Sequence, residues 1–330
     1  MDSSSSFPSS ITTYINTNLT QLNSGPSPSS TPLFLLSPTA VASHFAKDKY
    51  STYLFDCDGC LYRDKELIPG SDVLIKELMK RGKKVYFVTN SSGRSCESMC
   101  VKLKSTLGLE NLTVDQMIPS CLPAAWYLSK QLRVKKAFIV GGQGIADELG
   151  KFGISCLGGA EDSDQPAKFS ESDIENYQID SDVRAVIVGM DDGFTYAKVA
   201  KASLYLQNPD VLFIATNKDA FDVMPSGRHQ PAGGVMTVAI EHATGRPATL
   251  VGKPSTILGD MMRDKLGIDL SSSLFLGDRI DTDILFGNIN RIDSCLVLSG
   301  CTTGSDVNNM VERGEPPLPS IIIPSVGHAI

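Results

Sequence analysis

Short apolar runs alternate with amphipathic segments along most of the chain after residue 51. The short runs predict buried strands, whereas apolar residues spaced three and four positions apart predict helices. Strands and helices that follow one another in turn are typical of a parallel sheet covered by helices. The predicted elements are, in chain order, strand 52–56, helix 71–81, strand 84–89, helix 95–107, helix 122–131, strand 136–140, helix 144–152, strand 184–189, helix 195–207, strand 211–215, helix 233–243, a strand at 274–277 and an edge strand at 321–323.

The alternation of strands and helices falls into two blocks. Residues 120–230 carry an alternation of their own and interrupt the order of the other elements, so they predict an inserted α/β cap domain. Residues 46–119 and 231–330 then form the core, and helix 233–243 leads the chain back into it. The predicted fold class is α/β, with a doubly wound parallel-sheet (Rossmann-like) core. In such a sheet, ligands bind beyond the carboxyl ends of the strands.

The first 45 residues have a different composition from the rest of the chain. They are rich in Ser, Thr, Pro and Asn, and no Lys or Arg occurs before Lys47. This composition predicts a flexible tail over residues 1–45, with room for a short helix near residues 38–42. An organelle-targeting peptide is the alternative, although such peptides normally carry Arg.

Polar residues with catalytic potential follow four of the apolar runs. Two carboxylates at the end of a buried strand are costly unless a metal ion or a lysine compensates them, and the chain supplies a lysine and further acids later. Each short pattern occurs by chance, but four of them at strand ends in this order are far more specific. These residues are Asp56 and Asp58, then Thr89, Asn90 and Ser91, then Lys253, and finally Asp278 and Asp283.

The stretches 55–62, 88–94, 251–254 and 277–283 resemble the motifs of the haloacid dehalogenase-type phosphatases. Within that group the chain is similar to the subgroup with a large α/β cap, which contains 4-nitrophenyl phosphatases, phosphoglycolate phosphatases and pyridoxal phosphatases. The resemblance extends from about residue 53 to the C-terminus. It implies a Mg²⁺-dependent hydrolase of small phosphate monoesters and a homodimer that forms through the caps.

The resemblance also implies catalytic roles for three residues. Asp56 is the expected nucleophile, which forms an aspartyl-phosphate intermediate. Asp58 is the expected general acid for the leaving oxygen and then the general base for the hydrolytic water. Because like charges nearby raise the pKa of one carboxyl group, Asp58 is suited to carrying a proton. Lys253 is expected to neutralise Asp56 and the transferring phosphoryl group.

Metal and phosphate binding follow from the same resemblance. Mg²⁺ would be held by Asp56, the backbone carbonyl of Asp58 and Asp278, with Asp283 acting mainly through water. An all-oxygen ligand set suits Mg²⁺ better than Zn²⁺. The loop at residues 89–91, which follows the second predicted strand, would bind phosphate oxygens through the Thr89 hydroxyl and backbone amides. An ordinary turn at the strand end is the competing interpretation of Thr89.

Substrate choice is expected in the cap loop at residues 217–230, which includes Asn217. Arg228 or His229 would meet a second anionic group such as a carboxylate, although both could instead be exposed loop residues. The return segment 231–234 departs from the Pro-Gly-x-Gly pattern of the subgroup. 2-Phosphoglycolate ranks narrowly above pyridoxal phosphate as the expected substrate, and activity on 4-nitrophenyl phosphate is the most general expectation.

Three other functions compete with a small-molecule phosphatase. A phosphoacceptor signalling module also uses carboxylates, Thr and Lys, but it has no need of an acid at Asp58. A non-catalytic scaffold is disfavoured because all the core motif residues are present. A protein phosphatase of the same chemistry is disfavoured because a closed cap excludes large substrates.

Composition limits the partners of the protein. A hydrophobic content of 42% and a charged content of 20% are those of a globular protein. The net charge of −7 without a basic run argues against nucleic-acid binding, and no apolar run approaches the roughly 20 residues of a membrane span. Eight cysteines fit a reducing cytoplasmic location. The Cys57-x-x-Cys60 pair and the partial Gly142-x-Gly144 fingerprint are interpreted as structural, because neither has the rest of its motif.

Overall fold

The computed structural model describes residues 32–35, 37–160, 169–224, 226–314 and 316–329. The strands in this part of the chain are β1 (Leu33–Phe34), β2 (Thr52–Phe55), β3 (Tyr62–Arg63), β4 (Glu66–Leu67), β5 (Lys84–Thr89), β6 (Met117–Pro119), β7 (Lys136–Val140), β8 (Ser155–Gly158), β9 (Ala185–Val188), β10 (Leu212–Ala215), β11 (Phe221–Val223), β12 (His229–Pro231), β13 (Thr249–Leu250), β14 (Ser273–Gly277), β15 (Asp293–Val297) and β16 (Ile321–Ile323).

The α-helices occupy much of the sequence between these strands. They are α1 (Pro38–Phe45), α2 (Ser71–Lys80), α3 (Cys96–Leu107), α4 (Cys121–Trp126), α5 (Gln143–Lys151), α6 (Glu171–Asn176), α7 (Tyr196–Leu206), α8 (Gly233–Thr244), α9 (Thr256–Leu266), α10 (Leu285–Asn290) and α11 (Gly304–Arg313). Among the described residues, no helix has both the length and the apolar character needed to cross a bilayer.

The core is a parallel sheet in the order β1-β16-β15-β14-β2-β5-β6. From β2 the chain builds outward through β5 and β6, then returns beside β2 as β14 and builds outward in the other direction. The strand order therefore reverses between β2 and β14, and such a switch point is where doubly wound sheets bind ligands. Asp56 follows β2 and Asp278 follows β14, so the two acids lie next to each other at the carboxyl edge of the sheet.

Strand β2 lies in the interior of the core sheet, between β14 and β5, and is buried along its whole length. A central parallel strand is covered on both faces, which explains the continuous apolar run rather than an alternating pattern. The rings of Tyr53, Phe55 and Phe87 stack in sequence, with centroids 6.5 Å apart at each step. This packing fixes the strand whose end carries Asp56.

The cap has a parallel sheet of its own, in the order β13-β10-β9-β7-β8. The predicted α/β core with an inserted α/β cap is confirmed by this arrangement. The predicted boundary at residue 231 is wrong, however. Helix α8 buries Met236 and Ile240 in an apolar cluster of the cap, together with Phe138 and Tyr205, and β13 then pairs with β10. The chain returns to the core only after Leu250.

The N-terminal boundary also differs from the prediction. Strand β1 pairs with β16, so β16 is not an edge strand, and α1 buries Val41 and Phe45 in the core cluster. Strand β1 and helix α1 therefore belong to the core, although their Ser- and Pro-rich surroundings predicted a tail. Residues 1–31 of that tail lie outside the described residues.

Several local elements also depart from the prediction. Strands β3, β4, β6, β8, β11, β12 and β15 and helices α6, α9, α10 and α11 were not predicted. The helix predicted over 122–131 is α4 followed by a π-helical turn at Tyr127–Gln131. The elements that were predicted have the observed type and order, with boundaries that differ by a few residues.

Phe45→Ala tests whether α1 is part of the core. Truncation of a nearly buried phenylalanine is expected to lower the free energy of unfolding by about 3 to 5 kcal/mol, because it removes apolar contacts and leaves a cavity. Val101→Ala is the control, since Val101 is 69% exposed on α3; a change within about 0.5 kcal/mol is expected there. Urea unfolding followed by circular dichroism gives both values. A neutral Phe45→Ala would restore the tail interpretation.

Candidate active site

A cleft of about 230 Å³ opens between the carboxyl ends of the core strands and the cap. Its base contains Asp56 after β2, Thr89 at the end of β5 and Lys253, which enters from the cap side. The residues predicted from the four strand-end motifs are thus brought together at the switch point of the sheet.

Lys253 is the buried cation at the base of the cleft. Its Nζ atom donates to Asp56 Oδ1 at 2.5 Å, to Asp283 Oδ1 at 2.7 Å and to the Val88 carbonyl at 3.2 Å. Burial favours the neutral amine, but Asp283 and Asp56 outweigh it and raise the pKa of Lys253. The lysine therefore stays charged and holds three core segments in fixed positions.

Three buried carboxylates surround a common point beside this lysine. One oxygen from each of Asp56, Asp278 and Asp283 lies within 4.8 Å of the others. Desolvation raises the pKa of Asp56 and brings that of Asp278 to about 7, and the neighbouring Asp283 acts in the same direction on both. Lys253 balances only part of this charge. The cluster has the excess negative charge that a divalent cation would neutralise.

The hydrogen bonding of Asp278 gives the clearest indication that this cluster suits a cation. The Oδ2 atom of Asp278 accepts a hydrogen bond from the Cys301 amide at 2.6 Å, whereas its Oδ1 is buried and has no hydrogen-bond partner among the described residues. A Cβ on Gly59 or Gly300 would collide with the carboxylate of Asp278, so the two glycines leave room for its orientation. An orphaned carboxylate oxygen in an all-oxygen cluster fits a hard cation such as Mg²⁺.

Asp58 lies in the same cleft but is accessible to solvent. The chain turns at Gly59, whose φ is 82°, and then returns, so that the backbones of Tyr62 and Asp58 form an isolated β-bridge. Desolvation by the walls of the cleft raises the pKa of Asp58, while Lys102 acts in the opposite direction. A carboxyl group with a raised pKa, reachable from the cleft, can carry a proton to or from a substrate.

The predicted phosphate loop lies at the end of β5, and Thr89, Asn90 and Ser91 all line the cleft. The Thr89 hydroxyl accepts a hydrogen bond from the Ser91 amide at 3.1 Å. The Asn90 side chain has a positioning role that the sequence did not predict. It accepts from the Lys253 amide at 2.9 Å and donates to the Lys253 carbonyl at 3.2 Å, so it fixes the backbone of the lysine.

The cap contributes the hairpin β11–β12 to the mouth of the cleft. Asp222 pairs with Gln230 in this hairpin, and both line the cleft, as does Asn217. Arg228 and His229 do not line it, contrary to the prediction: both are exposed, and the His229 ring stacks on Phe221 at 4.0 Å.

Two residues that join the cap to the core were not predicted. Asp219 accepts hydrogen bonds from the side chains of Asn90 and Asn217, both at 2.9 Å. Arg279 donates to the Phe221 carbonyl at 3.0 Å and pairs with the exposed Asp281. The only signal in the sequence was their position just after apolar runs, which does not identify a partner in another domain.

The cysteine pair and the glycine-rich turn have structural roles. Cys57 and Cys60 are buried free thiols, and desolvation together with Asp56 raises the pKa of each, so neither favours the reactive thiolate. In the turn that opens α5, a Cβ on Gly144 would collide with the Arg94 backbone. That glycine allows the cap helix to approach the core closely, as the structural interpretation required.

Comparison with known proteins identifies the family. Residues 53–155 match the family model described as haloacid dehalogenase-like hydrolase, and residues 250–329 match a HAD-hydrolase-like model. The chain is 37% identical to phosphoglycolate phosphatase 2 of Arabidopsis thaliana over 86% of its own length and 93% of that protein. It is 34% identical to 4-nitrophenylphosphatase of Schizosaccharomyces pombe over 84% and 93% of the two chains.

The solved structures agree with the sequence relatives. The p-nitrophenyl phosphatase from Archaeoglobus fulgidus is similar with a TM-score of 0.70 and 27% identity, covering 85% of this chain and 98% of that one. The fold, the two family models and the sequence identity over most of both chains lead to one conclusion. The chain belongs to the haloacid dehalogenase-like hydrolases, as the four strand-end motifs predicted.

Proposed function

We propose that the protein hydrolyses small phosphate monoesters by transferring the phosphoryl group to Asp56. The observation that carries this proposal is the position of Asp56, buried at the base of a cleft and held at 2.5 Å by Lys253 beside two further carboxylates. The relatives named as phosphatases support the same reaction.

Each side chain of the site has a separate role in the proposed reaction. An Asp56 oxygen attacks phosphorus as the ester bond breaks, and Asp58 gives its proton to the departing oxygen. Asp58 then removes a proton from water, which attacks the aspartyl-phosphate, releases inorganic phosphate and restores Asp56. Lys253 offsets negative charge at the attacking end, and the loop of residues 89–91 orients phosphate oxygens.

The three carboxylates Asp56, Asp278 and Asp283 would hold Mg²⁺. When bound, the ion would neutralise charge on the phosphoryl oxygens and on the cluster itself. The unpaired Asp278 Oδ1 supports this assignment, because a buried carboxylate oxygen normally has a partner.

The substrate class follows from cleft size and from the relatives. A cleft of about 230 Å³ under a cap suits a small metabolite rather than a phosphoprotein. The relatives point to 2-phosphoglycolate and 4-nitrophenyl phosphate, and pyridoxal phosphate is the alternative small substrate. A phosphoacceptor function is disfavoured, since Asp58 supplies the acid that a leaving group needs.

Assembly and location stay predictions. The cytoplasmic location rests on composition alone. For the homodimer through the cap, the support is the exposed apolar pair Val235 and Val238 on α8, which a second copy of the chain would cover.

Asp56→Asn tests the nucleophile. Phosphate release from 4-nitrophenyl phosphate, 2-phosphoglycolate, pyridoxal phosphate and a phosphotyrosine peptide is measured with Mg²⁺ and with EDTA. The wild type is expected to turn over the small substrates when Mg²⁺ is present. The variant is expected to lose this activity, because an amide is a poor nucleophile. The exposed Asp260→Asn is the matched control and is expected to keep full activity. Equal activity of wild type and Asp56→Asn would refute the mechanism.

Asp58→Asn separates the two steps of the reaction. With 4-nitrophenyl phosphate, whose leaving group needs little help from an acid, we expect a burst of one equivalent of nitrophenolate followed by slow turnover. The second step is slowed because water lacks its base, by about 10²- to 10⁴-fold. Rapid-quench measurement of the burst checks this. Unchanged steady-state rates with every substrate would remove Asp58 from the mechanism.

Thermal unfolding tests the metal cluster without reference to activity. Mg²⁺ at about 100 times its Kd is expected to stabilise the wild type by about 2.7 kcal/mol relative to EDTA. The stabilisation should largely disappear in Asp278→Asn, which removes one charged ligand. Asp260→Asn again serves as the control. A full Mg²⁺ response in Asp278→Asn would place the ion elsewhere.

A further inference from the structure

Arg63 is a cation at the mouth of the cleft that the proposed mechanism leaves without a role. It lies on β3, directly after Tyr62, whose bridge with Asp58 brings this strand back beside the general acid. The group that Asp58 protonates is the leaving group of the substrate. Arg63 is therefore placed on the side of the cleft where the leaving group has to lie.

The guanidinium of Arg63 is held in place but keeps donors unused. Its Nε donates to the Ser299 carbonyl at 2.9 Å, and its Nη2 donates to the same oxygen. The Ser299 hydroxyl in turn donates to the Gly59 carbonyl at 2.8 Å. Within the described part of the chain, Nη1 has no hydrogen-bond partner and Arg63 forms no ion pair.

The other cations of the cleft are already neutralised. Lys253 is bound between Asp56 and Asp283, and Arg279 pairs with Asp281. The described residues of the cap hairpin add no cation to the lining: they contribute Asp222, Val223, Met224 and Gln230, while Arg228 lies outside. Among the described residues that line the cleft, Arg63 is thus the cation available for a second negative group.

We infer that Arg63 forms a subsite for a carboxylate carried on the leaving group of the substrate. The inference rests on the proposed phosphatase function and deepens it. A fixed guanidinium binds a carboxylate through charge-assisted hydrogen bonds at little cost in side-chain ordering. The subsite would favour a phosphorylated hydroxy acid over a neutral phosphate ester of the same size.

The test compares 2-phosphoglycolate with 2-hydroxyethyl phosphate, which replaces the carboxylate by a neutral hydroxymethyl group. Arg63→Gln is expected to raise KM for 2-phosphoglycolate by about ten- to a hundredfold, as loss of a charge-assisted contact does. KM for 2-hydroxyethyl phosphate should change less than about twofold. Arg63→Lys, which keeps the charge without the planar fork, should fall between wild type and Arg63→Gln for 2-phosphoglycolate.

Arg228→Gln is the rival variant, since Arg228 is the cap arginine that the sequence suggested for the same role. It is expected to leave both substrates unchanged. The inference is overturned if Arg63→Gln weakens both substrates equally, if it weakens neither, or if Arg228→Gln alone raises KM for 2-phosphoglycolate. Equal loss for both substrates would show a purely structural role of Arg63 in β3.

A binding measurement separates this inference from the proposed function. Calorimetric titration of 2-phosphoglycolate into Asp56→Asn protein needs no turnover. Weaker binding to the double variant Asp56→Asn/Arg63→Gln than to Asp56→Asn would support the subsite. This holds even if the wild type hydrolyses nothing, because absence of hydrolysis would refute only the proposed function. Absence of binding to Asp56→Asn, or binding that Arg63→Gln leaves unchanged, would overturn the subsite.

Discussion

The active site depends on one buried lysine between two carboxylates. Moving the Lys253 amine and its partners out of water is costly, and their attraction offsets that cost only if the geometry is well defined. Here Asp56, Asp283 and the Val88 carbonyl all accept from the same amine. Asp56 follows β2, Val88 lies near the end of β5 and Asp283 comes after β14, so the contacts of the lysine fix the relative positions of three strand ends. The same arrangement leaves the carboxylate cluster with uncompensated charge, which explains why it suits a cation.

Lys253 also stands where the chain passes from cap to core. Two residues earlier, the Val251 amide still donates to Ala215 of the cap sheet at 3.0 Å, while the Lys253 amide donates to Asn90 of the core. A Cβ on Gly252 would collide with the Thr216 carbonyl, so the passage requires close backbone contact. Domain packing and catalytic geometry are therefore set by the same few residues. A shift of the cap relative to the core would move the lysine backbone.

The parts of this structure that were predictable are those in which local sequence determines position. Apolar runs identified β2, β5 and β14, and parallel strands bring their carboxyl ends to one edge, so Asp56, Thr89 and Asp278 could be grouped from the sequence. Lys253 follows β13 of the cap sheet, so its place in the site rested on the order of the motifs and on the family resemblance. Helix α8 was assigned to the core because an amphipathic pattern shows that a helix is covered, but not by which sheet. Strand β1 was missed, and the short helix expected near residues 38–42 was assigned to a tail rather than to the core, because the Ser- and Pro-rich composition outweighed two short apolar groups.

Contacts between the two domains could not be predicted from the sequence, for a different reason. Asp219 and Arg279 lie 60 residues apart and meet only because the hairpin β11–β12 lies over the loop after β14, with Arg279 Nε 3.9 Å from Asp219 Oδ1. Arg228 and His229 were sensible candidates by residue type. Their positions, however, depend on tertiary contacts: His229 pairs with Val223 and stacks on Phe221, and Arg228 lies in the turn that joins the two strands.

The charges at the mouth of the cleft suggest how the two domains share selectivity. In the proposed mechanism Asp58 reaches the ester oxygen, so the leaving group would lie along the core hairpin that carries Arg63 rather than only beneath the cap. On the cap side, desolvation together with Asp219 and Asp58 raises the pKa of Asp222 to about 6, which leaves this carboxylate ionised at neutral pH. An anionic leaving group would be repelled from Asp222 and attracted to Arg63. Discrimination by charge would then come from the core, and the cap would contribute mainly exclusion by size and an unfavourable contact for a misplaced anion.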